Sequence, residues 1–342
     1  MKTSLFDFDL PDSLIAQNPV EPRDACKLMI VDRQSNSISH AKFFEIGNYL
    51  KDGDVLVFND SKVIPARINF VADGVSAEIL LIRNVTGNIW KAIGKPGKLL
   101  KPGKKLAINK QLEAIILDKE NDGLMTVEFN SLSGNATELL KEAGVAPFPP
   151  YISATNASLE DYQTVYAKNE GSVASPTAGL HFTDQLLENL RRNGIQQEFV
   201  TLHVGLGTFK PIKTENIEDH VMHSEIYQID KDTVARLTQA RREGRRIIPV
   251  GTTSVRVLES YFSTSESDGE PRDVLGETSI YIYPGYKWKC AKAMVTNFHI
   301  PRSSLILLVS AFGGQELIFK AYEEAIRYKY RFYSFGDAML II

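Results

Sequence analysis

The stretch Gly53 to Val71 reads G-D-V-L-V-F-N-D-S-K-V-I-P-A-R-I-N-F-V, and the chain changes character inside it. After the Gly53-Asp54 turn, Val55 to Phe58 is a short apolar run, the pattern of a buried strand, and it delivers Asn59, Asp60, Ser61 and Lys62 at its end. Polar side chains at the end of a buried strand are well placed for a site, although Asn-Asp is also an ordinary turn pair. From Val63 to about Phe129 the pattern becomes short alternating stretches divided by turns: 64–71, 76–82, 88–93, 105–108, 112–117 and 124–129. That spacing predicts a small β-barrel or sandwich. It reads as an insertion, because helix-containing patterning resumes after P-F-P-P at Pro147 to Pro150.

A chain of 342 residues exceeds one comfortable core, which predicts about two domains. Hydrophobic content of 43% and charged content of 24% are those of a soluble globular protein. A net charge of −3 gives no global attraction to nucleic acid, so such binding has to rest on local patches. Trp90 to Lys105 is one: it holds six lysines and no acid, with K-P-G twice, and Lys95, Lys98, Lys101, Lys104 and Lys105 are compatible with a phosphate backbone. Solvated hairpin lysines that discourage edge pairing are the competing reading. Cys26 and Cys290 are far apart and without metal-ligand spacing, which points to a reducing compartment, no disulfide framework and two bystander thiols. The acidic opening M-K-T-S-L-F-D-F-D-L-P and the lack of a spanning apolar run predict a cytoplasmic protein with no membrane partner.

The densest gathering of small and titratable residues is Ser175 to Phe209. Around Thr177, the residues Pro176, Ala178 and Gly179 keep side chains out of the way before His181, so a ligand or another backbone can approach. Thr183 can cap a helix that carries Leu186, Leu187 and Leu190. Beyond it Phe199, Thr201 and His203 share one face of an expected strand, and Gly205 and Gly207 open the backbone at its end. Two histidines bracketing a helix and a strand can reach the rim of one cleft; ordinary packing is the rival explanation for each. Tyr151 to Gly171 reads as a polar lid or connector, and Phe43 to Leu50 as a helix. If Met222 to Ile229 is a strand, His223 and Glu225 lie on one face. Farther on, strand, glycine and Thr252-Thr253-Ser254 open a helix that also carries Arg256, a small anion site in outline. Asn297 and His299 leave another strand, and Asp337 sits in a turn before the last one.

Taken in order, F-D-F-D-L-P, P-R-D, G-D-V-L-V-F-N-D-S-K-V-I-P-A-R, S-P-T-A-G-L-H-F-T, F-V-T-L-H-V-G-L-G-T-F, M-H-S-E-I-Y, G-T-T-S-V-R, Y-P-G-Y, T-N-F-H-I-P and Y-R-F-Y-S-F-G-D-A-M-L resemble the S-adenosylmethionine:tRNA ribosyltransferase-isomerase family of queuosine synthesis. The resemblance runs from end to end, and the ordered set is highly specific. It departs from the family pattern at Lys27 and Lys62, where arginine is usual, and at Ser61, where threonine is usual. Charge and hydroxyl survive, but a bidentate arginine contact does not.

The resemblance implies an α+β protein of two domains. A larger α/β barrel-like domain is built from both chain ends, residues 1–61 and 148–342, and a small all-β barrel domain, 62–147, is inserted. It also implies transfer and isomerisation of the ribosyl moiety of S-adenosylmethionine onto 7-aminomethyl-7-deazaguanine at the wobble position of a tRNA, with release of adenine and methionine. S-adenosylmethionine is then a consumed cosubstrate, with no permanently bound cofactor and no metal. The sulfonium acidifies the adjacent 5′ carbon for a base, and adenine leaves with help from an acid or from hydrogen bonds. His181, His203, His223, His299, Asp60, Glu225 and Asp337 are the pool for these tasks. Thr252, Thr253 and Ser254 suit the methionine carboxylate, and Asn59 and Asp60 suit the amine and edge of the deazaguanine. Two alternatives remain at this stage, a non-catalytic RNA-binding protein and an S-adenosylmethionine-dependent RNA methyltransferase. The second lacks a glycine-rich turn after an early strand with an acid about 20 residues on. Oligomeric state is left open, a monomer being the simplest case.

Overall fold

The computed structural model describes residues 1–205, 211–264, 267 and 269–342. Val55–Asn59 is buried at every position, as its apolar run requires, and lies inside a five-stranded sheet ordered Ile247–Pro249, Val55–Asn59, Gln196–Leu202, Glu225–Ile229, Val274–Thr278. The first three run parallel and the last two pair antiparallel. A four-stranded sheet, ordered Met294–Asn297, Ala338–Ile341, Lys27–Asp32, Ser37–Lys42, brings the two chain ends together, with Leu28 opposite Ala338. Bridges between Ile247 and Ala291 and between Val250 and Val295 make these sheets run into one another.

The helices are α1 (Ala136–Ala143), α2 (Asp184–Arg192), α3 (Lys231–Arg242), α4 (Gly251–Tyr261), α5 (Ser304–Gly313) and α6 (Gln315–Arg327). Thr183 caps α2 by accepting from Leu186 N at 3.2 Å, and Asp230 and Ser303 cap α3 and α5 in the same way. No single helix among the described residues is long and apolar enough to cross a membrane.

The alternating stretches form a seven-stranded sheet, ordered Gly144–Val145, Arg67–Ala72, Val75–Thr86, Ile89–Lys95, Met125–Ser131, Leu112–Lys119, Lys105–Ala107. Its apolar residues, among them Ile79, Leu81, Ile116, Val127 and Phe129, gather in their own core. Helix α1, capped by Asn135 through Thr137 N, packs Leu140 into that core, so this region is not purely strand.

Several expectations change. The helix expected over Phe43 to Leu50 is present as a 3-10 helix, Phe43–Tyr49. The strand before His203 ends at Leu202, and the strand expected from Met222 begins only at Glu225, which leaves His223 exposed ahead of it. The 151–168 segment is a packed connector, not a loose lid. Tyr162 is fully buried against Phe148 and Phe335, and Gln163 clamps both backbone groups of Val63, accepting from its N at 3.0 Å and donating to its O at 2.7 Å.

Helix α4 joins the sheets, and a carboxylate fixes its far end. Glu259 is fully buried and accepts from the backbone N–H groups of Lys289 (2.8 Å), Cys290 (3.0 Å) and Ala291 (2.9 Å) and from the Tyr286 hydroxyl (3.1 Å). Glu259→Gln sets an amide N–H₂ against those donors, and hydrogen bonds to a buried charge are worth about 1.5–3 kcal/mol each. A urea titration should show a stability loss of roughly 2 kcal/mol or more with an unchanged m-value; a wild-type midpoint would make Glu259 dispensable.

Candidate functional site

The start of α4 opens on a cavity walled by Ser175 to Ala178, Val204, Gly251 to Thr253, Thr296 to Ile300, Leu305, Tyr333, Ser334 and Tyr151. Six chain segments converge there, and the parallel strand Ile247–Pro249 and the neighbouring Met294–Asn297 end on the same side. Val250 caps α4 without a side-chain hydrogen bond, so the first N–H groups of the helix are left to the cavity. The hydroxyls of Thr253 and Ser175 are buried and have no partner among the described residues. Buried hydroxyls seldom stay unpaired, which points to a polar ligand. Thr252 also lines the cavity, but Ser254 does not: its hydroxyl donates back to Val250 O at 2.9 Å inside the helix. The expectation that Ser254 holds a ligand is therefore corrected.

The histidines divide by what their ring nitrogens do. His299 lines the cavity, bonds Thr296 Oγ1 through Nε2 at 2.8 Å, and is pushed down to about 3 by burial. His181 is buried beneath the wall beside Phe43, with Nδ1 3.2 Å from Cys26 Sγ and Nε2 3.2 Å from Asn297 Oδ1. Burial pushes it down to about 4, against an opposing pull from Asp337. Cys26 is thus no bystander. Both nitrogens of His181 have partners inside the protein, a bracing arrangement, while the ring also lines a second cavity with Cys26, Arg23 and Arg331. His203 differs: its Nδ1 is buried and has no partner among the described residues, and burial lowers its pKa while Asp60 opposes the shift. A Cβ on Gly171 (φ +136°) would stand 3.1–3.2 Å from the His203 ring, so only glycine fits there.

Asp60 is buried, accepting from Thr201 Oγ1 at 2.6 Å and from Asn169 Nδ2 at 3.1 and 3.0 Å. Asn59 does not face a ligand: its amide donates to Leu202 O (3.0 Å) and accepts from Leu202 N (3.0 Å) and Ser61 N (3.1 Å), extending the sheet by one side chain. The pairing of His223 with Glu225 is also corrected. Glu225 forms a buried ion pair with Arg256 and accepts from Gly205 N at 2.9 Å, so Arg256 is committed to a carboxylate of the protein itself. Asp337 accepts from Lys27 N (3.0 Å) and Arg331 N (2.8 Å), a staple between strand and turn. Gly179 admits the Tyr166 hydroxyl, which a Cβ would meet at 1.9 Å; it serves packing rather than a ligand. Thr177 lines the cavity; Gly207 lies outside the described residues.

Sequence reasoning does not single out Ser175, Thr296, Tyr333, Ser334 or Asn169, although the first four stand in motifs quoted above. Lys95, Lys98, Lys101 and Lys105 are exposed, Lys98 and Lys101 in the turns between strands and Lys95 3.8 Å from Glu78, whereas Lys104 bonds Asp73 at 2.6 Å. No group of three or more His, Cys, Asp and Glu among the described residues could hold a metal.

A largely apolar cavity walled by a helix start and strand ends, with a few hydroxyls and one neutral imidazole converging on it, is the form that small-molecule sites take in α/β proteins. The chain belongs to the queuosine biosynthesis protein family, whose model matches residues 3–341. It is 49% identical over 343 residues to the S-adenosylmethionine:tRNA ribosyltransferase-isomerase of Thermotoga maritima, 46% identical over 344 residues to that of Acetivibrio thermocellus, and 49% identical over 345 residues to that of Caldanaerobacter subterraneus, with 100% of each chain covered. A crystal structure of S-adenosylmethionine tRNA ribosyltransferase from Thermotoga maritima superposes with a TM-score of 0.58 at 40% identity, covering 99% of this chain and 100% of that one.

The neutral histidines give a pH signature. An exposed histidine titrates near about 6.5. Between that value and about 3 for His299 or about 4 for His181, the unfolded chain binds one more proton at each position than the folded chain. Their stabilisation is therefore complete above roughly pH 6.5 and falls with pH below it, by about 1.4 kcal/mol per pH unit for each. His299→Gln should flatten the dependence of unfolding free energy on pH between roughly 6 and 4 by that amount. An unchanged slope would mean that His299 titrates normally in the fold.

Proposed function

We propose that this protein consumes S-adenosylmethionine in the cavity, transferring and isomerising its ribosyl moiety onto 7-aminomethyl-7-deazaguanine at the wobble position of a tRNA and releasing adenine and methionine. The names of its relatives support the activity, and one observation carries the location: the uncapped start of α4, with the unpaired Thr253 hydroxyl beside it. A helix start binds a carboxylate through its N–H groups and partial positive charge, which suits the methionine end. Thr252 adds a second hydroxyl. Neutral His299 and Thr296 offer hydrogen bonds to a purine edge, easing departure of adenine without a cation.

The sulfonium makes the adjacent 5′ carbon acidic, and the base that takes its proton needs an uncommitted lone pair. His203 answers that need, one residue from Val204 of the wall, with Asp60 at hand to stabilise the imidazolium that forms. His181 and Asp337 support the wall. Residues 62–147 form an inserted domain that meets the tRNA through its lysines, and residues 1–61 with 148–342 form the catalytic one; the separate core under the seven-stranded sheet supports that division. Two buried free thiols, Cys26 and Cys290, fit a cytoplasmic setting.

Incubation with S-adenosylmethionine and tRNA bearing the aminomethyl base should release adenine. S-adenosylhomocysteine instead would make the protein a methyltransferase, and no product a binding protein. His203→Ala should lower turnover by roughly 10²- to 10⁴-fold with the thermal midpoint retained; a variant that melts early but keeps its specific activity would make His203 a packing residue.

Lys98, Lys101 and Lys105 are exposed with no ion pair among the described residues. Replacing all three by glutamine should reduce the salt slope of tRNA binding by roughly one unit for each phosphate that is no longer neutralised. Equal slopes for variant and wild type would leave them as solvated turn residues.

A further inference from the structure

The hydrogen bonds beneath the cavity wall have only one consistent set of directions. The side-chain amide of Asn297 places Nδ2 against Tyr333 O at 2.8 Å and Ser334 O at 3.4 Å. Carbonyls only accept, so that atom must be the nitrogen, and the amide oxygen faces His181 Nε2. His181 Nε2 must then carry the proton. Its Nδ1 is left with a lone pair, and the group 3.2 Å away is the Cys26 thiol. Burial, with Asp337 adding to it, pushes that thiol's pKa up, so it stays protonated and donates.

From this geometry we infer that Cys26 is a positioning residue for the cavity: its S–H, together with the carbonyl-held amide of Asn297 on the other side of the ring, holds His181 in the Nε2–H tautomer that keeps the amide in place. The consequence reaches the substrate because the chain of bonds ties together three segments of the wall. Thr177 and Ala178 precede His181 in one 3-10 helix, Asn297 ends a strand, and Tyr333 and Ser334 belong to the turn before the last strand. Without the thiol donor, Nδ1 keeps a buried lone pair with no partner on that side, so the Nε2–H tautomer loses one of the two contacts that favour it and the ring is held from the Asn297 side alone; a ring that goes over to the Nδ1–H form would press the amide to turn over. Turned over, it would set oxygen against two carbonyls, which drives the turn away from the wall.

The binding part of this inference rests on the cavity being the S-adenosylmethionine site; the tautomer part does not. Histidine-selective ¹⁵N labelling of the full chain should show His181 with a protonated Nε2 and an unprotonated Nδ1. Cys26→Ser keeps a donor and should keep both that signature and the wild-type KM for S-adenosylmethionine. Cys26→Ala should give mixed tautomers and a KM raised several-fold, with kcat within about twofold of the wild type because no reacting group is touched. Should the alanine variant not fold, Cys26→Val fills the space without a donor and carries the same expectation. The inference is overturned if the tautomer is unaltered without the thiol, or if serine and alanine variants bind alike. A wild-type protein that ignores S-adenosylmethionine while showing the tautomer shift would overturn the reading of the cavity and leave the positioning of Asn297 standing.

Discussion

The carboxylate of Glu259 lies out of contact with water and is met by three backbone N–H groups and a phenol. Taking a charge out of water costs several kcal/mol unless donors replace the solvent, so such a group dictates where its donors must stand. The same constraint recurs across the fold. Asp337 gathers Lys27 N and Arg331 N, Asp54 gathers Lys51 N and the Arg246 guanidinium, and Glu225 gathers Gly205 N and Arg256. Asp337, Asp54 and Glu225 each stand where a strand ladder ends, and extend the pairing into the adjoining loop.

The cavity is shaped by a complementary set of neutral groups. Its imidazoles are kept uncharged by burial and oriented by hydroxyls, an amide and a thiol, so the wall offers directed hydrogen bonds without a fixed charge. That suits a cationic sulfonium ligand, which a buried imidazolium would repel. The helix start supplies partial positive charge where an anionic end would lie.

Lys27 explains how a departure from the usual arginine is absorbed. Its ammonium donates to Tyr328 O at 2.8 Å and Lys329 O at 2.9 Å, just past the end of α6, and lies over the Tyr330 ring. Two carbonyls at a helix end need a point cation, not a planar fork. Lys62, half-buried and 3.6 Å from Glu170, keeps an ion pair that a point charge makes as well as a guanidinium.

The buried run Val55 to Phe58, the alternation from residue 64 to 129, the cap at Thr183 and the helix start at Thr252 were all legible in the chain, because periodicity and capping are properties of neighbours in sequence. Residue type also gathered the titratable pool. What sequence could not decide was which of those groups face a ligand and which face the protein. Asn59, Glu225, Arg256, Ser254 and Asp337 look like site residues and are taken up by internal donors and acceptors, while Ser175, Thr296 and Asn169 look like ordinary polar residues. His181 and His203 carry the same imidazole beside similar glycines, yet one has both nitrogens bonded and the other keeps one unpaired among the described residues. The partners that separate them lie 155 and 116 residues from His181 along the chain. A hydrogen bond is short and directional, so its existence depends on contacts that only the folded chain creates.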